Sequence, residues 1–114
     1  MTSIRFEHRH LDVACQLDRA EATARAQEWD QLRTESGLGA EPIPDGARVW
    51  LRADCWAAAE DLARREGACC GFLDLDLAVQ EDRIRLEITS PAPGVAPLIA
   101  CLAGLKESCD LPCC

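Results

Sequence analysis

Apolar and polar residues alternate from the first few positions of the chain. Ile4, Phe6 and His8 fall on one side and Arg5, Glu7 and Arg9 on the other. The apolar phase then moves to Leu11, Val13, Cys15 and Leu17. Period two predicts extended structure, with a bulge or break near His10-Leu11 where the inward set changes face. The period then lengthens. Ala22, Ala26, Trp29 and Leu32 recur at helical spacing behind Asp18 and Glu21, a capping-box pair, and Gly37 or Gly39 ends this first helix. Pro42, Pro44, Asp45 and Gly46 make a loop. Val49, Leu51 and Ala53 alternate with Arg48, Trp50 and Arg52 as a half-buried strand. Asp54 is placed to cap a second helix with Ala58, Ala59, Leu62 and Ala63 as its apolar stripe, and Gly67 weakens its last turn.

Two cleanly alternating runs follow. Leu73, Leu75, Leu77 and Val79 form one inner set and Ile84, Leu86 and Ile88 the other, and the link Gln80-Glu81-Asp82 makes them a hairpin. Ser90-Pro91-Ala92-Pro93 breaks the sheet. Val95, Leu98, Ile99, Leu102 and Leu105 then build a third helix, with Pro97 tolerated in its first turn. The predicted order is β-α-β-α-β-β-α. Strands with one apolar face need helices on that face only, so the expected fold is α+β: a two-layer α/β sandwich with a mainly antiparallel four-stranded sheet. Residues 1–106 form its single domain and residues 107–114 a cysteine-containing tail.

Composition narrows the function classes. The 114 residues carry a net charge of -8, which argues against a nucleic-acid surface. A run long enough to span a bilayer is absent, as is the basic start and apolar stretch of a secretory signal. The expected compartment is therefore the cytoplasm, where thiols stay reduced. Against that background, eight cysteines are the main chemical feature. A chain of this length has enough core to fold without disulfides, although a disulfide scaffold is the alternative that an even count raises.

The cysteines differ by position. Cys55 lies at the start of the second helix and Cys69 fourteen positions later, about 21 Å apart on an unbroken helix, which separates Cys55 from any site at Cys69. Cys101 falls among Leu98, Leu102 and Leu105 and reads as core. Cys69 and Cys70 are adjacent, and neighbouring side chains diverge unless the backbone is irregular; Gly67 and Gly71 flank the pair to permit that. A sheet-facing Cys15 offers a third sulfur. Thiolates select Hg(II), Cu(I), Zn(II), Cd(II) or As(III) over hard cations. In the tail, Cys109, Cys113 and Cys114 form a second compact group with Pro112 before the last pair. Two imidazoles, His8 and His10, share a strand face but read as incidental.

The segment Glu66-Gly67-Ala68-Cys69-Cys70-Gly71-Phe72-Leu73-Asp74-Leu75-Asp76-Leu77, with Ala14-Cys15-Gln16-Leu17 before it and the hairpin after it, resembles a small bacterial domain with the signature E..CC.F..F.L. That domain occurs alone or behind the DNA-binding part of MerR-type metal-responsive regulators, a group associated with heavy-metal resistance. The resemblance spans residues 11–104 and implies Cys15, Cys69 and Cys70 as thiolate ligands. No helix-turn-helix segment is present, so it does not imply a direct transcriptional role. The pair Cys113-Cys114 is similar to the vicinal cysteines that ferry Hg(II) in mercuric reductases.

These readings lead to a heavy-metal-binding protein, acting as monomer or dimer, that sequesters a thiophilic ion or passes it to a metal-handling protein by thiol exchange, with Hg(II) foremost. Two alternatives accompany it. One is organomercurial lyase-like chemistry with Asp74 or Asp110 as the acid. The other is a thiol redox or metal-sensing accessory domain.

Overall fold

The structure, a computed structural model, describes residues 2–13 and 18–105. Its elements are β1 (Ser3–Phe6), α1 (Arg19–Ser36), β2 (Gly37–Ile43), β3 (Gly46–Arg52), a 3-10 turn (Ala53–Cys55), α2 (Trp56–Cys69), β4 (Asp74–Gln80), β5 (Arg83–Thr89) and α3 (Ala96–Ala103). The strands form one antiparallel sheet in the order β1-β4-β5-β3-β2. Among the described residues, no helix is long and apolar enough to cross a membrane.

The sheet therefore has five strands, not four. The additional one, β2, is one of the two edge strands, and its residues stay largely exposed. Its sequence, Gly-Leu-Gly-Ala-Glu-Pro-Ile, has no apolar alternation because it has little to bury. Pro42 is tolerated there because an edge strand has one side without a hydrogen-bonding neighbour. The expected loop shrinks to Pro44-Asp45, with Ile43 paired to Gly46 and Asp45 in the left-handed region at φ 65°. The β4–β5 hairpin closes as expected on Glu81-Asp82, both at positive φ, the backbone of a type I′ turn.

In β3 and β5, buried and half-buried residues alternate along the strand. Val49, Leu51, Leu75, Leu77, Ile84, Leu86 and Ile88 join Trp29, Leu32, Leu62, Leu98, Ile99 and Leu102 in one hydrophobic cluster. The opposite face carries Arg48, Trp50, Arg85, Glu87 and Asp76, with the Arg83 guanidinium 4.1 Å above the Trp50 ring.

Helix α1 begins with the expected capping box: Glu21 N–H donates to Asp18 Oδ1 at 2.8 Å and Asp18 N–H to Glu21 Oε1 at 3.2 Å. Its buried stripe is Ala22, Arg25, Trp29, Leu32 and Ser36, so a guanidinium occupies an inward position. In α2 the stripe is Ala59, Leu62, Ala63 and Glu66, while Ala58 is exposed. Asp54 does not cap α2. The 3-10 turn intervenes, and Asp54 pairs with Arg52 at 2.7 Å instead. Helix α3 stops at Ala103 on a left-handed Gly104, which leaves Leu105 outside it and exposed.

The first strand is shorter than its alternation predicts. After Phe6 the chain leaves the sheet, and Leu11 and Val13 are exposed. Arg9 and His10 donate their backbone N–H groups to Gly71 O, and the Arg9 guanidinium donates to Gly67 O and Ala68 O at the end of α2. These side-chain bonds satisfy helix-terminal carbonyls, and the N-terminal segment is thereby laid over the turn that carries the paired cysteines.

Candidate metal centre

Helical spacing places Glu66 one turn before Cys69 and Cys70, so all three side chains can meet at the end of α2. Cys70 is the C-cap. Its N–H donates to Glu66 O at 2.7 Å, but at φ -111° and ψ 75° its own backbone has left the helix. A tight turn follows, with Leu73 N–H donating to Cys70 O at 3.1 Å. Fully buried Phe72 anchors it, and Ser90 Oγ–H donates to Phe72 O at 2.5 Å. This break in the helix lets adjacent side chains converge. Cys69 Sγ and Cys70 Sγ lie 3.5 Å apart, each 3.4 Å from Glu66 Oε2. One ligand atom from each of the three residues lies within 4.8 Å of the others.

Gly71 has a different role from the one its position suggested. Its backbone is not left-handed. A Cβ there would lie 2.6 Å from His10 Nε2, so the missing side chain makes room for the imidazole.

Glu66 is wholly buried and held by α1. Trp29 Nε1–H donates to Oε1 at 2.5 Å, and Arg25 Nη1–H donates to Oε2 at 3.5 Å. Arg25 also reaches Cys69 Sγ at 3.8 Å and Glu28 at 3.4 Å. Glu28 takes a two-pronged contact from Arg65, at 3.0 and 2.9 Å, and Arg65 bonds Asp61. The hydrogen bond from Arg65 holds the Glu28 carboxyl below the usual range. A chain of charges thus runs from the exposed seam between α1 and α2 to the buried carboxylate. The outer pairs contribute at most about 1 kcal/mol each, whereas an inner charge left unpaired costs about 3–5 kcal/mol.

Burial pushes the Glu66 carboxyl up, against the opposing pull of the Trp29 N–H and the Arg25 charge. The Cys69 thiol is pushed up to about 12, first by burial, then by the Glu66 charge and by its own hydrogen bond to Glu66. At neutral pH Cys69 is therefore a protonated thiol, and the proton leaves only when something better takes the sulfur. Replacing Glu66 by Gln removes the charge, leaves at most a weaker amide acceptor for the thiol, and leaves the burial unchanged. The Glu66→Gln variant is expected to alkylate at Cys69 several-fold faster than wild type at pH 8, read by peptide mass spectrometry. An unchanged rate would mean that Glu66 does not hold the thiol.

Cys55 and Cys69 are thiols, whereas Cys70 and Cys101 are disulfide-bonded. Cys55 lies at the far end of α2, half-buried, its thiol raised chiefly by burial, and outside the cluster as helix geometry requires. Cys101 is buried in α3, as expected of a core residue, but its disulfide was not anticipated. Cys15, Cys109, Asp110, Cys113 and Cys114 lie outside the described residues.

The imidazoles do not share a strand face. His8 Nδ1 lies 3.0 and 3.1 Å from the two Asp74 oxygens, and its backbone N–H donates to Oδ1 at 2.7 Å. Arg5 is also 3.8 Å from that carboxylate. Asp74 is thus engaged at the start of β4 and takes no part in the sulfur cluster. Glu66 and Arg25 went unrecognised as site residues. Their signal was a charged residue in the buried phase of an amphipathic helix.

The sulfur spacing constrains geometry. A metal–sulfur bond of about 2.3 Å gives a tetrahedral S···S edge of ~3.8 Å and a linear span of ~4.6 Å. The observed 3.5 Å is near the first. A linear two-sulfur ion requires half-buried Cys69 to swing outward by about 1 Å. No protein-family model matches this chain, and no curated protein or solved structure matches it.

Proposed function

We propose that this protein captures a thiophilic metal ion, with Hg(II) as its leading cargo, on the thiolates of Cys69 and Cys70 beside the carboxylate of Glu66. The observation that carries this reading is the convergence of two sulfurs and a buried carboxylate oxygen within 4.8 Å, next to Arg25. Charge supports it. Two thiolates and the Glu66 carboxylate outweigh the one positive charge of Arg25, so the site is net negative and suits a cation. Without an ion Cys69 keeps its proton, because burial and the neighbouring Glu66 oppose its ionisation. Capture is then an exchange of protons for metal, which favours a soft ion that binds sulfur strongly.

Cys15 is proposed as a third sulfur, and Cys109, Cys113 and Cys114 as an arm that passes the ion to a metal-handling protein by thiol exchange. The resemblance to the cysteine-pair domain of metal-responsive regulators supports the first part, the similarity of Cys113-Cys114 to the vicinal cysteines of mercuric reductases supports the second, and a cytoplasmic setting would supply the reduced thiols they need. Titrating the reduced full chain with Hg(II), Cd(II), Zn(II), Cu(I) and As(III), watched by thiolate-to-metal absorption and native mass spectrometry, tests it. One ion held at the cluster, with Hg(II) displacing the others, is expected; preference for a hard cation would contradict it.

A second reading is favoured by Glu66 alone. Cleavage of a carbon–mercury bond needs two thiolates and an acid, and Glu66 lies 3.4 Å from both sulfurs where Asp74 does not. Hydrocarbon release from an organomercurial would distinguish lysis from capture.

A further inference from the structure

We propose that the metal site is gated by thiol–disulfide exchange at Cys70, with a dithiol as the reducing partner. This inference rests on the metal-capture reading. Cys70 is disulfide-bonded while Cys69, 3.5 Å away, keeps its thiol. A disulfide sulfur carries no ionisable thiol and is a poor ligand, because metal binding needs the thiolate. The oxidised cluster therefore offers one thiol and one carboxylate. The reduced cluster offers two thiols and the carboxylate, at the same positions on the end of α2.

The dithiol's thiolate attacks the disulfide that holds Cys70. The S–S bond breaks, one of its two sulfurs leaves with the electron pair, and a mixed disulfide forms on the other. The second thiol of the dithiol then attacks its own sulfur in the mixed disulfide. The products are a cyclic disulfide of the reductant and two thiols on the protein. Two electrons and two protons pass from the dithiol to the protein, and no further oxidant or reductant is needed. Cys70 takes up its proton, or the ion, in the space shared with Glu66 and Cys69.

Gating makes metal capture follow the thiol state of the surroundings. In a reducing compartment the two-sulfur site is open; in an oxidising one it is closed, and an ion already bound holds Cys70 in the reduced form. The coupling is reciprocal, since a ligand that binds one state alone stabilises that state.

The test uses the full chain equilibrated across ratios of reduced and oxidised dithiothreitol, then freed of the buffer without air. One half of each sample is denatured and alkylated, and Cys69, Cys70 and Cys101 are read by peptide mass spectrometry. The other half is titrated with Cd(II), with the Cys69→Ser variant run alongside to isolate binding at the cluster. Cys69 is expected to label at every ratio and Cys70 only on the reducing side. Cluster-bound Cd(II) should follow the Cys70 thiol from near zero to one equivalent, including in a Cys101→Ala variant. Labelling of Cys70 in the fully oxidised sample would overturn the gate. So would equal Cd(II) binding at both extremes. If Cys70 becomes reduced and the cluster still takes no Cd(II), the capture reading falls and the gate with it, while the disulfide itself stands.

Discussion

Replacing Cys69 and Cys70 together by Ser is expected to lower the affinity of the reduced chain for Hg(II) at the cluster by more than 100-fold, with the fold intact. The two hydroxyls leave one carboxylate as the only strong donor among the three residues, and a soft ion gains little from oxygen. Loss of a group that merely orients a metal's ligands costs about 10–100-fold in metal affinity, so loss of both sulfurs must exceed that. In the reduced chain, where the Cys70 disulfide is already open, the stability cost is small, because serine is close to cysteine in size and Glu66 can accept from a hydroxyl at the same place. Calorimetry in the presence of a competing thiol, with thermal melts of the same samples, gives both numbers. Unchanged affinity would remove Cys69 and Cys70 from the account and transfer the binding to other cysteines.

Trp29→Ala is the substitution expected to damage the fold most. Trp29 is 2% exposed and packs in the main cluster, and removing so large a buried ring costs about 3–5 kcal/mol. It also leaves Glu66 Oε1 without the donor that lies 2.5 Å away. Trp29→Phe separates the two effects. It keeps most of the ring, deletes the N–H, and is expected to cost about 1–3 kcal/mol, the range for a buried acceptor left unsatisfied. The pH dependence identifies the atom concerned. Folding raises the Glu66 pKa from the ordinary 4.5, so between the ordinary and raised values the folded chain binds more protons than the unfolded one. Glu66 thus contributes stability that is fully present below the ordinary value and is lost as pH rises through the raised one. Trp29→Phe removes a bond that favours the ionised form, so the loss extends to higher pH. Glu66→Gln should abolish this component. Denaturant melts from pH 4 to 9 measure it, and an unaltered pH profile in Glu66→Gln would assign the effect to another group.

Much of the fold is legible in the residue pattern because most elements bury one face. The capping box of α1, the β4–β5 hairpin and the apolar sets of β3, β4 and β5 all express burial or local geometry directly. The edge strand β2 is illegible for the converse reason. It buries little and is held by hydrogen bonds to β3, which any residue with a backbone N–H can make. The N-terminal alternation misleads because period two records only which residues could share a face. Leu11 and Val13 have no sheet face to occupy once the chain turns to the end of α2.

The site divides along the same line. The paired cysteines are conspicuous by type, and Cys55 is excluded by helix length. Glu66 and Arg25 are common surface residues by type, and only their place in the buried stripes of two helices marks them. That two charged side chains from α1 and α2 meet under the cysteines is a tertiary fact. No spacing within either helix contains it. The disulfide state of Cys70 and Cys101 is equally out of reach of a count of eight cysteines, which admits many pairings.

The most direct measurement is a crystal structure of the reduced full chain with one equivalent of Hg(II), located by its anomalous scattering. The ion is expected within bonding distance of both Cys69 Sγ and Cys70 Sγ, with Glu66 still held by Trp29 and Arg25. An ion bound solely by other cysteines, with the Cys69 and Cys70 sulfurs unligated, would contradict it.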